Sequence, residues 1–260
     1  MKDIILIAGQ NAVGKTTASS YFMQIARERG IAYNPRPVDD FSYLFDQTLK
    51  DDLSGGYCHY HYWSGERSRG HSHKNGEASI PFVVTHTALS DGMHNEFFYD
   101  IASLRKTGKL WFVEWTGGRN TNPPGNPAAQ ADFSFTRASK MIKVGRWPAQ
   151  WLERIYAIIH ISADIKTRFL LNTKDSKYPS LKESSGQILV RRVTTVLEIF
   201  GQDDFSRIEP LFRNAGIELI FDLHNIGDDQ FYNELATISS PLFNDFYQTL
   251  LLDEEISYSV

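Results

Sequence analysis

Nine consecutive residues near the start of the chain have the types and spacing of a phosphate-binding loop. They are Gly9, Gln10, Asn11, Ala12, Val13, Gly14, Lys15, Thr16 and Thr17. Glycines at the two ends of such a loop let the backbone approach a ligand closely, and main-chain N–H groups then surround the phosphate oxygens. We expect Lys15 to reach the β- and γ-phosphates of a nucleotide and the Thr16 hydroxyl to bind Mg²⁺. Thr17 is placed to contact the α-phosphate.

The segments on either side of this loop support the interpretation. Ile4–Ala8 is a continuous apolar run with the length of a buried parallel strand. Residues 16–29 read as an amphipathic helix that ends at Gly30. A helix N-terminus that follows a strand and a glycine-rich turn favours anion binding, so ATP and Mg²⁺ are the predicted ligands.

Further strands and helices alternate along the chain. The other predicted strands are Ile31–Val38 (interrupted by Pro35 and Pro37), Leu110–Trp115, Ile155–Ile161 and Ile217–Phe221. Helices are predicted at 16–29, 41–50, 93–106, 133–145, 163–172, 187–200, 204–214, 228–237 and 241–252. This order predicts an α/β three-layer sandwich with a five-stranded, mostly parallel sheet that binds ligands at the carboxyl ends of its strands. We interpret residues 1–260 as a single domain, with an acceptor-site insertion at 51–92 and a lid-like segment at 163–192.

Acidic residues follow two of the predicted strands. Asp39 and Asp40 end the second strand, where a carboxylate can accept the proton of an attacking hydroxyl. Asp40 can alternatively cap the helix that begins at residue 41. Glu114 ends the third strand and can hold Mg²⁺ through water, contact an acceptor, or serve as a buried structural acid. Arg119 follows in a glycine-rich loop and suits a substrate phosphate or carboxylate, although a solvent-facing arginine fits the same position.

The stretch Asp39-Asp40-Phe41, followed by Ser42 and Tyr43, resembles the Asp-x-Phe-Tyr pattern of uridine kinase and phosphoribulokinase-like P-loop kinases. In that group the Asp is the base, and the resemblance favours Asp39 over Asp40. Ser42 is the departure from the family pattern, and because of it both Asp39 and Asp40 remain candidates for the base.

The chain after the fourth predicted strand resembles the lid of nucleoside and nucleotide kinases in its position and its charge. Among its lysines and arginines, Arg168 is the first candidate to close on the transferring phosphate, and Arg191 and Arg192 follow. A solvated basic helix face explains the same charges. After the last strand, Asn225, Ile226 and Gly227 occupy the position where such kinases pack against adenine.

Residues 57–76 contain four of the eight histidines: His59, His61, His71 and His73. Together with Cys58 they could form a zinc site. The same window could instead be an acceptor pocket, in which His59, His61 and Arg67 contact anions beside several aromatic side chains. An exposed polar loop is the third interpretation.

The composition narrows the class of protein. A net charge of −4 over 260 residues argues against a broad nucleic-acid-binding surface. One cysteine, no apolar run of transmembrane length and a charged Lys2-Asp3 pair before the first strand predict a cytoplasmic protein without signal peptide or membrane segment. A homodimer is compatible with the sequence.

The favoured function is an ATP- and Mg²⁺-dependent kinase that phosphorylates a small molecule, most simply a nucleoside or nucleotide. A polynucleotide 5′-hydroxyl kinase and a nucleotide-binding regulatory ATPase without an acceptor are the alternatives.

Overall fold

Five parallel strands form a twisted sheet in the part of the chain that the computed structural model describes, residues 2–40, 87–124, 129, 132–174, 197–227 and 229–257. The strands are β1 (Ile4–Gly9), β2 (Val38–Asp39), β3 (Trp111–Thr116), β4 (Ile155–Ser162) and β5 (Leu219–His224). Their order across the sheet is β2-β3-β1-β4-β5, and every neighbouring pair is parallel. The carboxyl ends of all five strands therefore meet at one edge.

Helices cover both faces of this sheet. They are α1 (Lys15–Glu28), α2 (Thr87–Ser103), α3 (Phe135–Lys143), α4 (Ile165–Lys174), α5 (Glu209–Asn214) and α6 (Asp229–Ser257), with 3₁₀ turns at Gln150–Arg154 and Phe205–Arg207. Because side chains alternate along a strand, Ile4 and Leu6 of β1 join a core with α2, α3 and α5, whereas Ile5 and Ile7 join a core with α1 and α6. The predicted three-layer α/β sandwich is confirmed.

The second strand is much shorter than its predicted span, Ile31–Val38. Only Val38 and Asp39 pair with β3, opposite Val113 and Glu114, and Tyr33 forms an isolated bridge to Leu110. A proline has no N–H to donate to a sheet ladder, so Pro35 and Pro37 restrict the pairing to the last two residues. Those two residues are enough to fix Asp39 beside Glu114.

The final helix differs from its prediction. Two helices were expected, at 228–237 and 241–252, and this division is wrong because α6 continues through Pro241. Burial explains the continuity: Leu242, Phe243 and Phe246 pack into the core beneath α1 and β4, and the Tyr156 hydroxyl donates to the Leu242 carbonyl at 3.0 Å. This packing offsets the hydrogen bond that proline removes.

The other described helices match their predictions with shifted ends, except that 204–214 divides into a 3₁₀ turn and α5. The predicted helix 41–50 and residues 187–196 of another lie outside the described residues. None of the described helices is both long enough and apolar enough to span a membrane.

A buried ion pair closes the opposite edge of the sheet. Arg154, before β4, binds the Asp3 carboxylate through two nitrogens, at 2.6 and 3.0 Å, and both side chains are almost fully buried. The same guanidinium donates to the carbonyls of Ile101 and Leu104, beyond β1 and β4. It thereby joins the end of α2 to the sheet, far from the carboxyl edge.

Candidate functional site

The loop between β1 and α1 has the backbone conformation that its glycines predict. A Cβ on Gly9 would lie 2.2 Å from the Ile161 carbonyl oxygen of β4, so only glycine fits where β1 ends. Gly14 precedes α1 with φ 99°, in the left-handed region, and a Cβ there would lie 2.8 Å from Asn225 Nδ2. The first N–H groups of α1 have no partners within the helix and face the loop. This geometry suits a phosphate.

Two buried side chains hold the middle of the loop, where Ala12 has φ 59°. Arg168 Nε donates to the Asn11 carbonyl at 2.8 Å, and Asn225 Nδ2 donates to the Val13 carbonyl at 2.7 Å. A left-handed alanine is strained unless its surroundings fix it. These two hydrogen bonds flank the strained residue and fix the conformation of the loop.

The side chain of Lys15 contacts the backbone of the loop that precedes it. Its Nζ donates to the Gln10 carbonyl at 2.8 Å and approaches the Gly9 carbonyl at 3.3 Å. Burial lowers the pKa of Lys15, while the carboxylates of Asp40, Glu114 and Asp39 act in the opposite direction. The ammonium group therefore contacts the loop, and the carboxylates at the ends of β2 and β3 favour its charged form.

Glu114 of β3 binds the first turn of α1. Its two carboxylate oxygens accept hydrogen bonds from Thr16 Oγ1, at 2.8 Å, and from Ser19 Oγ. Burial raises the pKa of Glu114, and the two hydroxyl donors partly oppose that effect. Ser19 was not predicted from the sequence to be a site residue, although its i+3 spacing from Thr16 places both residues on one face of the helix. Thr16 and Glu114, the two residues predicted to hold Mg²⁺, therefore touch each other.

Asp39 and Asp40 have different surroundings. Asp40 is buried, and its carboxylate accepts hydrogen bonds from the N–H and the hydroxyl of Thr116 at the end of β3. Burial and the neighbouring Asp39 raise the pKa of Asp40 well above its ordinary range. Asp39 is partly exposed and lies opposite Glu114 in the sheet register. The more exposed of the two carboxylates has the better access to an acceptor.

The two described arginines that were predicted to contact phosphate groups, Arg168 and Arg119, differ in their burial. Arg168 of α4 is fully buried under the loop, where burial lowers its pKa to about 10. Arg119 is exposed beyond β3, and its backbone N–H donates to the Gln202 carbonyl at 2.7 Å. Asn225 is buried, and its side chain binds Val13 and the Gly227 N–H. It anchors the loop at the position predicted for adenine.

Part of the predicted site lies outside the described residues: Cys58, His59, His61, Arg67, His71, His73, Arg191 and Arg192. In the described ranges, no group of three His, Cys, Asp or Glu side chains is arranged to hold a metal ion. The zinc and acceptor-pocket interpretations of the histidine window stay predictions.

The glycine-bounded loop, the buried Lys15 and the five-stranded parallel sheet define a P-loop α/β fold, as the sequence predicted. No protein-family model matches the chain, and no curated protein matches it.

Several solved structures resemble the chain weakly, among them two kinases. Shikimate kinase from Bacteroides thetaiotaomicron is 13% identical, with 92% of this chain and 98% of that chain covered and a TM-score of 0.39. Dephospho-CoA kinase from Campylobacter jejuni is 13% identical, with 92% and 96% covered and a TM-score of 0.32.

Proposed function

We propose that the protein is an ATP- and Mg²⁺-dependent phosphotransferase that moves the γ-phosphate to a hydroxyl or phosphate of a small molecule, of nucleoside or nucleotide type. The observation that carries this proposal is the contact of Lys15 with the phosphate loop, next to Thr16, whose hydroxyl binds the Glu114 carboxylate beside Asp39. A phosphoryl-transfer site needs a cation for the phosphates and a carboxylate for the acceptor at the same sheet edge.

The chain's residues divide the reaction between them. Main-chain N–H groups of residues 10–16 hold the β-phosphate, and Lys15 compensates charge on the β- and γ-phosphates. Mg²⁺, when bound beside Thr16 and Glu114, supplies further positive charge at the phosphates. The oxygen of the acceptor hydroxyl bonds to the γ-phosphorus, and Asp39 accepts the proton of that hydroxyl. The bond between the γ-phosphorus and the oxygen that bridges the β- and γ-phosphates breaks, and ADP leaves.

The test measures ADP release with a panel of nucleosides, nucleotides, sugars and other small alcohols. A kinase releases little ADP until the correct compound is added, because water is excluded from the closed site. Steady release that no compound changes would favour a regulatory ATPase. Stimulation by oligonucleotide ends alone, with a steep salt dependence, would favour a polynucleotide kinase.

Binding and catalysis are separated by a thermal-shift screen with a non-hydrolysable ATP analogue. Ligand at 100 times its Kd stabilises the folded protein by about 2.7 kcal/mol, so productive acceptors raise the melting temperature further when the analogue is present. Lys15→Ala should abolish transfer, whereas Lys143→Ala, on the exposed end of α3, should not. Full activity of Lys15→Ala would disprove the proposed function.

A further inference from the structure

Residues 197–202, which we name the strap, contact the phosphate loop through two side chains. Gln10 is 2% exposed, and its Nε2 donates to the carbonyls of Phe200 at 2.7 Å and Gly201 at 3.0 Å. Arg168 donates through Nε to the Asn11 carbonyl and through Nη2 to the Leu197 carbonyl, at 2.8 and 3.0 Å. One guanidinium thus holds the loop and the strap together.

The other side of the strap pairs with the chain that leaves β3. The N–H groups of Arg119 and Gln202 each donate to the carbonyl of the other residue, at 2.7 and 2.9 Å, and the Thr121 N–H donates to the Glu198 carbonyl at 2.7 Å. The fit is close, because a Cβ on Gly201 would lie 1.9 Å from Thr121 Oγ1. The strap therefore lies between the phosphate loop and the exit of β3.

These contacts make the positions of the two loops interdependent. The buried amide of Gln10 has to keep its acceptors, because an unsatisfied buried donor is costly. The carboxylate of Asp203, just after the strap, lies close enough to Arg168 to raise the pKa of the buried guanidinium, against the larger effect of burial. A shift of the strap thus disturbs the hydrogen bonds of the loop, and a shift of the loop disturbs those of the strap.

We propose that Gln10 and Arg168 are positioning residues that couple nucleotide binding at the phosphate loop to the order of residues 119–121 beyond β3. The proposal rests on the proposed function, because it takes a nucleotide as the ligand of the loop. Arg168 then acts through backbone carbonyls of the loop and the strap, without contact to the transferring phosphate. Bound nucleotide stabilises the loop further in this conformation, the loop in turn holds the strap, and the chain beyond β3 opens less often.

Amide hydrogen exchange on the 260-residue chain tests this coupling, with and without Mg²⁺ and AMP-PNP. The reporters are the N–H groups of Arg119, Thr121 and Gln202, and residues 10–16 report on nucleotide binding itself. In the wild type we expect AMP-PNP to slow exchange of the reporters at least about threefold, because opening of the strap would require opening of the occupied loop. Protection at residues 10–16 with unchanged reporters would overturn the inference and leave the proposed function intact. No protection at residues 10–16 would overturn both.

Gln10→Met gives a matched variant, since it preserves the length of the side chain and removes both donors. At AMP-PNP concentrations that saturate the variant, as judged by exchange at residues 10–16, we expect exchange of the reporters no longer to slow. Gln24→Met, on the exposed face of α1, is the control and should behave as the wild type. Ligand-dependent protection of the reporters that persists in Gln10→Met would exclude the role of Gln10.

Arg168→Lys, which retains the charge and one donor, should retain more of the coupling than Arg168→Gln. Coupling as strong as that of the wild type in both variants would exclude the role of Arg168. The wild-type measurement decides the coupling even where a variant does not fold.

Discussion

Thr16 Oγ1 donates a 2.8 Å hydrogen bond to Glu114 Oε2, which joins the first turn of α1 to the carboxyl end of β3. Ser19 binds the other oxygen of the same carboxylate. The hydroxyl expected to bind Mg²⁺ is thus oriented by an acid that sequence reasoning placed near the metal. A residue that orients a metal ligand affects metal affinity even where it does not itself bind the metal.

Glu114→Gln should therefore impair the response to Mg²⁺ more than the binding of nucleotide. We expect the Mg²⁺ concentration for half-maximal turnover to rise about 10–100-fold, while nucleotide affinity without Mg²⁺ changes little. Titration of activity with Mg²⁺ measures the first quantity, and equilibrium binding with EDTA measures the second. Glu153→Gln, at an exposed position before β4, is the control. An unchanged Mg²⁺ titration in Glu114→Gln would remove Glu114 from the metal site.

Asp39→Asn should lower turnover about 10²–10⁴-fold, because an amide cannot accept the proton of the acceptor hydroxyl. ATP affinity should stay within about twofold, since the phosphate loop and Lys15 are unchanged. Steady-state kinetics and nucleotide titration test the two parts. If Asp39→Asn is fully active, the base is Asp40 or Glu114.

Asp40→Asn should change the pH dependence of stability. Asparagine can accept from the Thr116 N–H and donate to its hydroxyl, so both contacts of Asp40 are retained. Burial raises the pKa of Asp40, so its contribution to stability is fully present below its unfolded pKa, about 3.9. That contribution is lost as the pH rises through the folded value. In urea unfolding from pH 4 upward, the variant should gain stability relative to the wild type. A constant difference across pH would contradict the raised pKa.

His160 should give a second pH-dependent contribution to stability, in the neutral range. Burial lowers the pKa of His160, but Asp203 and Asp222, at 3.0 and 2.8 Å from its two nitrogens, outweigh that effect, and the net pKa is raised. The stabilisation is fully present below the unfolded pKa, about 6.5. It is lost as the pH rises through the folded value, with a slope of at most about 1.4 kcal/mol per pH unit.

His160→Gln should lack this contribution. Between pH 6 and 9, the unfolding free energy of the variant should fall less steeply with pH than that of the wild type. His224→Gln is the control, since His224 is exposed on the neighbouring strand and contacts Ser162. If the two variants show the same pH dependence, His160 is not charged in the folded protein at neutral pH.

Asp3→Asn should destabilise the protein by about 3–5 kcal/mol, because the Arg154 guanidinium would stay buried without its counter-charge. Denaturant unfolding measures the loss. Glu209→Gln removes the partner of Arg213 in a more exposed ion pair and should cost less than about 1 kcal/mol. Similar losses in both variants would show that burial of the Asp3–Arg154 pair has no special effect.

Local patterns were enough to predict the main elements. A buried parallel strand is apolar throughout, and a phosphate loop has fixed glycine and lysine spacing, so β1, the loop and α1 follow from residues 4–28 alone. The short β2 and the continuous α6 were not predicted well, because pairing partners and burial decided where those elements end. A proline indicates where a strand or helix can be interrupted. Whether packing compensates for the lost hydrogen bond depends on the tertiary structure.

The sequence by itself determined the fold class and the position of the phosphate loop, because both depend on hydrophobic periodicity and on residues adjacent in the chain. Only the tertiary structure decided that Asp40 binds Thr116, that Glu114 binds Thr16 and Ser19, and that Arg168 lies beneath the loop. These partners are 76, 98, 95 and 157 residues apart. Such contacts arise when strands distant in sequence become neighbours in the sheet, and hydrophobic periodicity does not specify which polar groups then meet.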